Sequence, residues 1–226
     1  GIRGGKVPTG EQIEVQVAGL AGVPASGATA VVMNLTVTEA NSMGWMKVGP
    51  TGSATNTSNV NFFPGDTVPN LVITKLGTGG RVTVEGLGAG AHVIGDVFGY
   101  FGATGTQMRT VAPKRMLDTR EGLGAAKEKV VGEDSIRLAI GGLARFPRDA
   151  RAVILNVTAT NVDGPTYVTV WPDEEDMPAT SNLNAFAGQT VANLVICRLG
   201  TTGAVQLASP VSACDLIADV LGYFID

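Results

Sequence analysis

Thr180–Gly200 reads TSNLNAFAGQTVANLVICRLG, and Thr57–Gly77 reads TSNVNFFPGDTVPNLVITKLG. Ser, Asn, Asn, Gly, Thr, Val, Asn and Leu recur at the same offsets. A stretch that returns with this fidelity marks a duplicated unit, and the repeat has to be settled before any fold is assigned. Working outward, Ala28–Thr38 matches Ala150–Thr160, and His92–Phe101 matches Asp215–Phe224. Each match is a short run rich in Val, Ile and Thr, bounded by Gly, Pro or Asn. Such runs are strands joined by tight turns. About seven of them in each repeat give an all-β chain of two tandem antiparallel β-sandwich-like domains. The expected domains are residues 1–104 and 111–226, with a linker or a long connection over Gly102–Thr110.

Composition agrees with this reading. The 226 residues include 31 glycines, and aromatic residues make up only 5%. The formal net charge is −4 and no Lys/Arg cluster stands out, which argues against nucleic acid as a partner. No apolar run is long enough to span a membrane. With one histidine and two cysteines in the whole chain, no zinc-ligand cluster can be assembled, and no metal or other cofactor is expected. The acidic run Asp173–Asp176 lacks the spacing of a calcium loop and reads as a solvated loop.

Some polar residues sit where strands should be. Asp96 and Asp219 interrupt apolar runs, and a carboxylate there needs a partner. The structural reading gives each an amide or an arginine such as Arg120; the alternative is a ligand or metal carboxylate. Asn34/Asn156, Asn59/Asn182, Asn61/Asn184 and Asn70/Asn193 recur in pairs. They read as a polar ladder bridging strand edges, with Asn70 and Asn193 as structural members. The competing reading is sugar recognition by Asn61 and Asn184 beside Trp45 and Trp171, where an indole stacks on a ring and amides bond its hydroxyls; against it, both tryptophans read first as core residues. His92 has Asp215 in its place in the second repeat and no nucleophile elbow near it, so no catalytic residue is assigned and the chain is read as a non-enzyme. Cys197 and Cys214 lie in runs flanking one turn and one strand. They are expected to form a disulfide, with two buried thiols as the alternative.

The motifs taken together resemble a repeat of secreted and cell-surface proteins of actinobacteria and related bacteria. Those of the second repeat are MLDTR at Met116–Arg120, ILNVT at Ile154–Thr158, TSNLN at Thr180–Asn184, GQTVANLV at Gly188–Val195 and LIADVLGYF at Leu216–Phe224. Those of the first are MNLT at Met33–Thr36, TSNVN at Thr57–Asn61, GDTVPNLV at Gly65–Val72 and VIGDVFGYF at Val93–Phe101. The resemblance implies an extracellular or cell-surface location and supplies no catalytic residues. The expected role is that of a non-catalytic structural or adhesive module that self-assembles. Its partners would be further copies or neighbouring repeats, reached through an exposed sheet edge. The alternative is a carbohydrate-binding module appended to a secreted hydrolase, with a cell-wall or extracellular glycan as ligand. One departure stands out: the first repeat has no counterpart of the LDTR segment, so a strand or seam in that repeat is expected to lie open or to be filled by a neighbouring segment, with donation of Met116–Asp118 across units as one way to fill it.

Overall fold

The computed structural model describes residues 4–53, 57–88, 90–132, 134–143 and 146–226. It divides into two units, Gly1–Gly105 and Thr106–Asp226. The strands of the first unit are β1 (Gln12–Gln16), β2 (Ala30–Thr38), β3 (Gly44–Pro50), β4 (Val60–Phe62), β5 (Val68–Lys75), β6 (Arg81–Leu87) and β7 (His92–Phe101). Those of the second are β8 (Gln107–Asp118), β9 (Ser135–Ala139), β10 (Ala152–Thr160), β11 (Thr166–Pro172), β12 (Leu183–Ala185), β13 (Val191–Arg198), β14 (Ala204–Ala208) and β15 (Asp215–Ile225). The chain is all-β, and the pairings within its four sheets are antiparallel.

Within each unit two sheets enclose one apolar core. The first unit has the orders β1-β6-β3-β4 and β5-β2-β7, the second β9-β14-β11-β12 and β13-β10-β15-β8. Period-2 alternation explains which side chains turn inward. On β2, Val31, Met33, Leu35 and Val37 join the first core; on β10, Val153, Leu155, Val157 and Ala159 join the second. The central strands break register at matching places, between Val32 and Met33 on β2 and between Ile154 and Leu155 on β10. The glycine that closes each copy of the opening motif is required by packing. A Cβ on Gly77 would lie 2.1 Å from the Thr51 amide nitrogen, and one on Gly200 2.4 Å from the Asp173 carbonyl.

The difference between the units is β8. It pairs along β15 and completes a four-stranded sheet, whereas the sheet of β5, β2 and β7 ends at β7. The expected linker over Gly102–Thr110 is therefore corrected, because its last residues already belong to β8. Most of β8 is exposed, its pairing shifts twice, and it carries Pro113 at a gap in the register. These are the marks of an edge strand, where a missing ladder donor is tolerated.

Candidate functional site

The recurring asparagines are backbone clamps. In the first unit the Val48 N–H donates to Asn59 Oδ1 (2.7 Å), and Asn70 Nδ2 donates to the Asn59 carbonyl (2.7 Å). In the second, the Val170 N–H donates to Asn182 Oδ1 (2.7 Å), and Asn193 Nδ2 donates to the Asn182 carbonyl (2.6 Å). The clamp fastens β4 to β3 and β5, or β12 to β11 and β13, so it ties one sheet to the other where ladder bonds cannot reach. The threonines of the motif add a bridge: Thr38 with Thr67 and Thr160 with Thr190 share hydroxyl hydrogen bonds of 2.7 Å. The GDT and GQT residues close a turn, with Phe63 N–H donating to Asp66 and Phe186 N–H to Gln189, each at 2.9 Å.

Asn61 and Asn184 belong to a different face. Asn61 stands directly across from Trp45, and Asn184 directly across from Tyr167. The structural counterpart of Trp45 is thus Tyr167, not Trp171. Trp171 is only 6% exposed and its Nε1–H donates to the Glu175 carbonyl (2.9 Å), so its ring offers no face for stacking. Trp45 is half-buried, with Lys47 Nζ 5.5 Å from its ring centroid. Lys47 also pairs with Glu85 (3.2 Å), which accepts from Gln12 Nε2 (2.7 Å).

The disulfide expected between Cys197 and Cys214 does not form; both are free, buried thiols. The reason lies in strand order. β13 and β15 both run antiparallel to β10, on either side of it. Cys197 stands opposite Val153 near one end of β10, while Cys214 precedes Asp215, which stands opposite Thr160 at the other end. Seven residues of strand separate the two levels, on the order of 23 Å at 3.3 Å per residue, whereas a disulfide requires Cα atoms within about 7 Å. Burial pushes the Cys197 thiol up to about 12 and raises that of Cys214 as well.

Glu174, Glu175 and Asp176 of the acidic run are exposed as expected of a solvated loop, but Asp173 is not. Asp173 is buried and accepts from Arg137 Nε (2.7 Å), Thr202 Oγ1 (2.6 Å) and Gln206 Nε2 (2.6 Å). The Thr202 hydroxyl, with Gln206 and Arg137, holds its carboxyl below the usual carboxylate range against the cost of burial. Glu175 pairs with Arg198 (3.0 Å), and Glu174 accepts from Thr201. The first repeat has Thr51 and Thr83 in place of Asp173 and Gln206, bonded through their hydroxyls at 2.9 Å. Among the described residues no group of three metal-ligating side chains gathers, and no helix is long and apolar enough to cross a membrane.

The LDTR segment ends β8, and each residue in it has a task. Leu117 is fully buried in the second core, opposite Ala218. Asp118 accepts from the Arg120 N–H (3.2 Å), Arg120 Nε (2.9 Å) and Arg120 Nη2 (2.7 Å), which lowers its carboxyl pKa and shapes the turn after the strand. Thr119 Oγ1 donates to Asp215 Oδ1 (2.7 Å) and accepts from the Leu216 N–H (3.1 Å). Just upstream, Arg115 grips Asp219 with two bonds, Nε to Oδ1 (2.9 Å) and Nη2 to Oδ2 (3.1 Å). The partner of Asp219 is therefore Arg115, while Arg120 serves Asp118.

Among the described residues the first unit has the same β7 face without this strand. A cleft of about 480 Å³ opens between its sheets, lined by Val15, Val17, Met33, Leu35, Val84 and Gly95 among others. Ile94 is 49% exposed where its counterpart Ile217 is 7%. Asp96 is half-buried, its carboxyl pKa is raised by burial, and among the described residues no cation meets it. His92 stands where Asp215 does in the second unit, with Nε2 3.7 Å from Glu39. No protein-family model matches the chain, and no curated protein matches it.

Proposed function

We propose that the chain is a non-catalytic structural and adhesive module of the extracellular space or cell surface, one that assembles through sheet edges. The observation that carries this reading is the edge of β7, unpaired among the described residues, above an apolar cleft in the first unit. Unpaired strand edges are templates for another chain, and folded proteins otherwise cover or charge them. The polar constellations support the reading from the other side. Asp118, Asp173 and Asp219 are held by arginines, and the paired asparagines clamp backbone, so these groups hold strands together and offer no free acid–base pair. The resemblance of the motifs to repeats of secreted and surface proteins supports the location.

Sedimentation velocity over a concentration series tests the proposal. The apparent mass should rise with concentration, and Ile94→Lys, which places a charge on the open edge, should suppress the rise. A monomer at every concentration, unchanged by the substitution, overturns it.

A second reading, binding of a cell-wall or extracellular glycan, is favoured by the Trp45–Asn61 pair beside Lys47, Glu85 and Gln12. A half-buried indole flanked by an amide and charged groups is the arrangement that stacks a sugar ring and bonds its hydroxyls. Glycan-array binding abolished by Trp45→Ala supports it. Binding that survives Trp45→Ala, or none at all, removes it.

A further inference from the structure

We propose that the seam of the first unit is a socket for one kind of partner: an extended strand of sequence Arg-x-Leu-Asp-Thr-Arg, received antiparallel to β7 and supplied by polypeptide other than the strands of either unit. This rests on the reading of the chain as an assembly module and names what it assembles with. Three independent features of the socket point to the same occupant.

The first is apolar. In the second unit, Leu117 enters the core opposite Ala218. The counterpart of Ala218 is Gly95, and Gly95 lines the open cleft together with Met33 and Leu35. The flexible end of Met33 lies over Gly95, 2.8 Å from where a Cβ would stand, and a leucine on a strand beside β7 would point into the cleft alongside it.

The second is charge. Arg115 meets Asp219 on the opposite face of the same sheet. Asp96 occupies the matching position on β7, opposite Asn34 as Asp219 is opposite Asn156, and among the described residues no cation faces it. A half-buried carboxylate is stabilised by a guanidinium that binds both its oxygens. An arginine two residues before the leucine supplies that group, as Arg115 precedes Leu117.

The third is backbone clearance. A Cβ on Gly222 would lie 2.6 Å from the Arg109 carbonyl of β8, so the close approach of that strand requires glycine there. At its counterpart Gly99, a Cβ would have nothing within 4 Å. Glycine at this position leaves β7 clear for a neighbouring strand.

Together these fix polarity and register. The arginine lies outward on Asp96, the leucine points inward beside Gly95, and the chain runs antiparallel to β7. The β8 of a second copy is not the occupant, since its one Arg-Met-Leu-Asp-Thr-Arg segment already fills its own second core through Leu117.

The test titrates the intact chain with a labelled synthetic peptide copying residues 107–123. The expected result is saturable binding, with slowed hydrogen exchange at β7 amides that make no bond to β2. Replacing the peptide leucine by Asp, or its first LDTR-flanking arginine (the copy of Arg115) by Glu, should weaken binding by about tenfold or more, the loss of one good contact. Asp96→Asn in the protein should do the same; circular dichroism and thermal melting check that this edge variant stays folded. Absence of β7 protection at millimolar peptide overturns the proposal. So does binding indifferent to all three substitutions, or a swapped dimer in which another copy's β8 occupies the seam. Sedimentation without peptide separates this outcome from the broader one: self-association with no peptide uptake removes the socket and keeps assembly, and peptide uptake by a strict monomer does the reverse.

Discussion

β7 and β15 carry nearly the same sequence, IGDVFGYF over 94–101 and IADVLGYF over 217–224, and they have different surroundings. β15 lies between β10 and β8; among the described residues β7 has β2 on one side only. Ile217 is covered and Ile94 is exposed, Asp219 is gripped by Arg115 and Asp96 is not, Gly222 is crowded and Gly99 is clear. The strand sequence specifies which face turns inward and where a neighbour fits. Whether that neighbour is present depends on chain connectivity. One repeat therefore shows what the other lacks, and the two can be played against each other by experiment.

The largest effect is expected from making the second unit resemble the first. Leu117→Ala removes the side chain that plugs the seam. It should cost the second unit on the order of 2–5 kcal/mol, the transfer loss plus the cavity left behind. Each unit holds one tryptophan, Trp45 or Trp171, so urea unfolding followed by fluorescence in Trp45→Phe and Trp171→Phe backgrounds reads the units separately. In the parent chain the first unit should unfold first, and Leu117→Ala should close or reverse the gap. An unchanged second transition would mean that Leu117 adds nothing beyond the rest of that core.

The clamps come next. Asn182→Ala leaves the Val170 N–H without its acceptor in a buried site, and about 1–3 kcal/mol of the second unit's stability should go with it. Asn59→Ala removes the same bond to Val48, but Asn59 is only half-buried. Water can replace part of what is lost, so its effect should fall at the lower end of that range. Equal losses would show that the clamp is worth the same whether or not the unit is sealed.

Acid separates the units in a third way. Asp118 and Asp173 titrate below the ordinary carboxylate value of about 3.9. Their contribution to the second unit is complete above that value and is lost as pH falls through their folded values. Asp96 titrates above it. Folding disfavours its charged form at neutral pH, and that penalty disappears as pH falls through its raised value. Between about pH 5 and pH 3 the melting temperature of the second unit should therefore fall more steeply than that of the first. Asp96→Asn should shrink the first unit's advantage without abolishing it, because the losses at Asp118 and Asp173 outnumber the like loss at Glu85. Parallel slopes in the two units would argue against the depressed values of Asp118 and Asp173 as well as the raised value of Asp96.

Much of this was legible in the residues. The TSNxN and GxTVxN spacings placed the repeat, the strands and the ladder role of Asn70 and Asn193, because a bond that recurs in both copies leaves its mark twice. The open edge of β7 among the described residues has its mark in the sequence too, in the LDTR segment that leads into the second repeat. What was hidden depended on strand order or on a single copy. Trp45 and Trp171 look like a pair in sequence, yet cross-strand register pairs Asn61 with Trp45 and Asn184 with Tyr167. The Asp173 knot draws Arg137, Thr202 and Gln206 from distant turns and strands, and the first repeat solves the same place with two threonines. β8 escapes a periodicity reading because it is an exposed edge with Pro113 and a basic pair inside it.

The smallest effect concerns the one covalent link that the sequence suggested. Because β10 separates Cys197 from Cys214 along its length, native thiol titration under non-reducing conditions should find both protected from reagent. Denaturation should then release two thiols. Their resistance has a physical cause: burial raises both thiols well above neutral pH, so the reactive thiolate is scarce as well as shielded. Cys197→Val exchanges one small buried group for another of similar volume, and should change the second unit's unfolding free energy by less than about 1 kcal/mol. A disulfide closing that stretch of chain would instead be worth about 3 kcal/mol, and its loss would shift the transition plainly. A reductant-sensitive second transition with no free thiols would require Cys197 and Cys214 on adjacent ends of β13 and β15, and hence a strand order other than β13-β10-β15-β8.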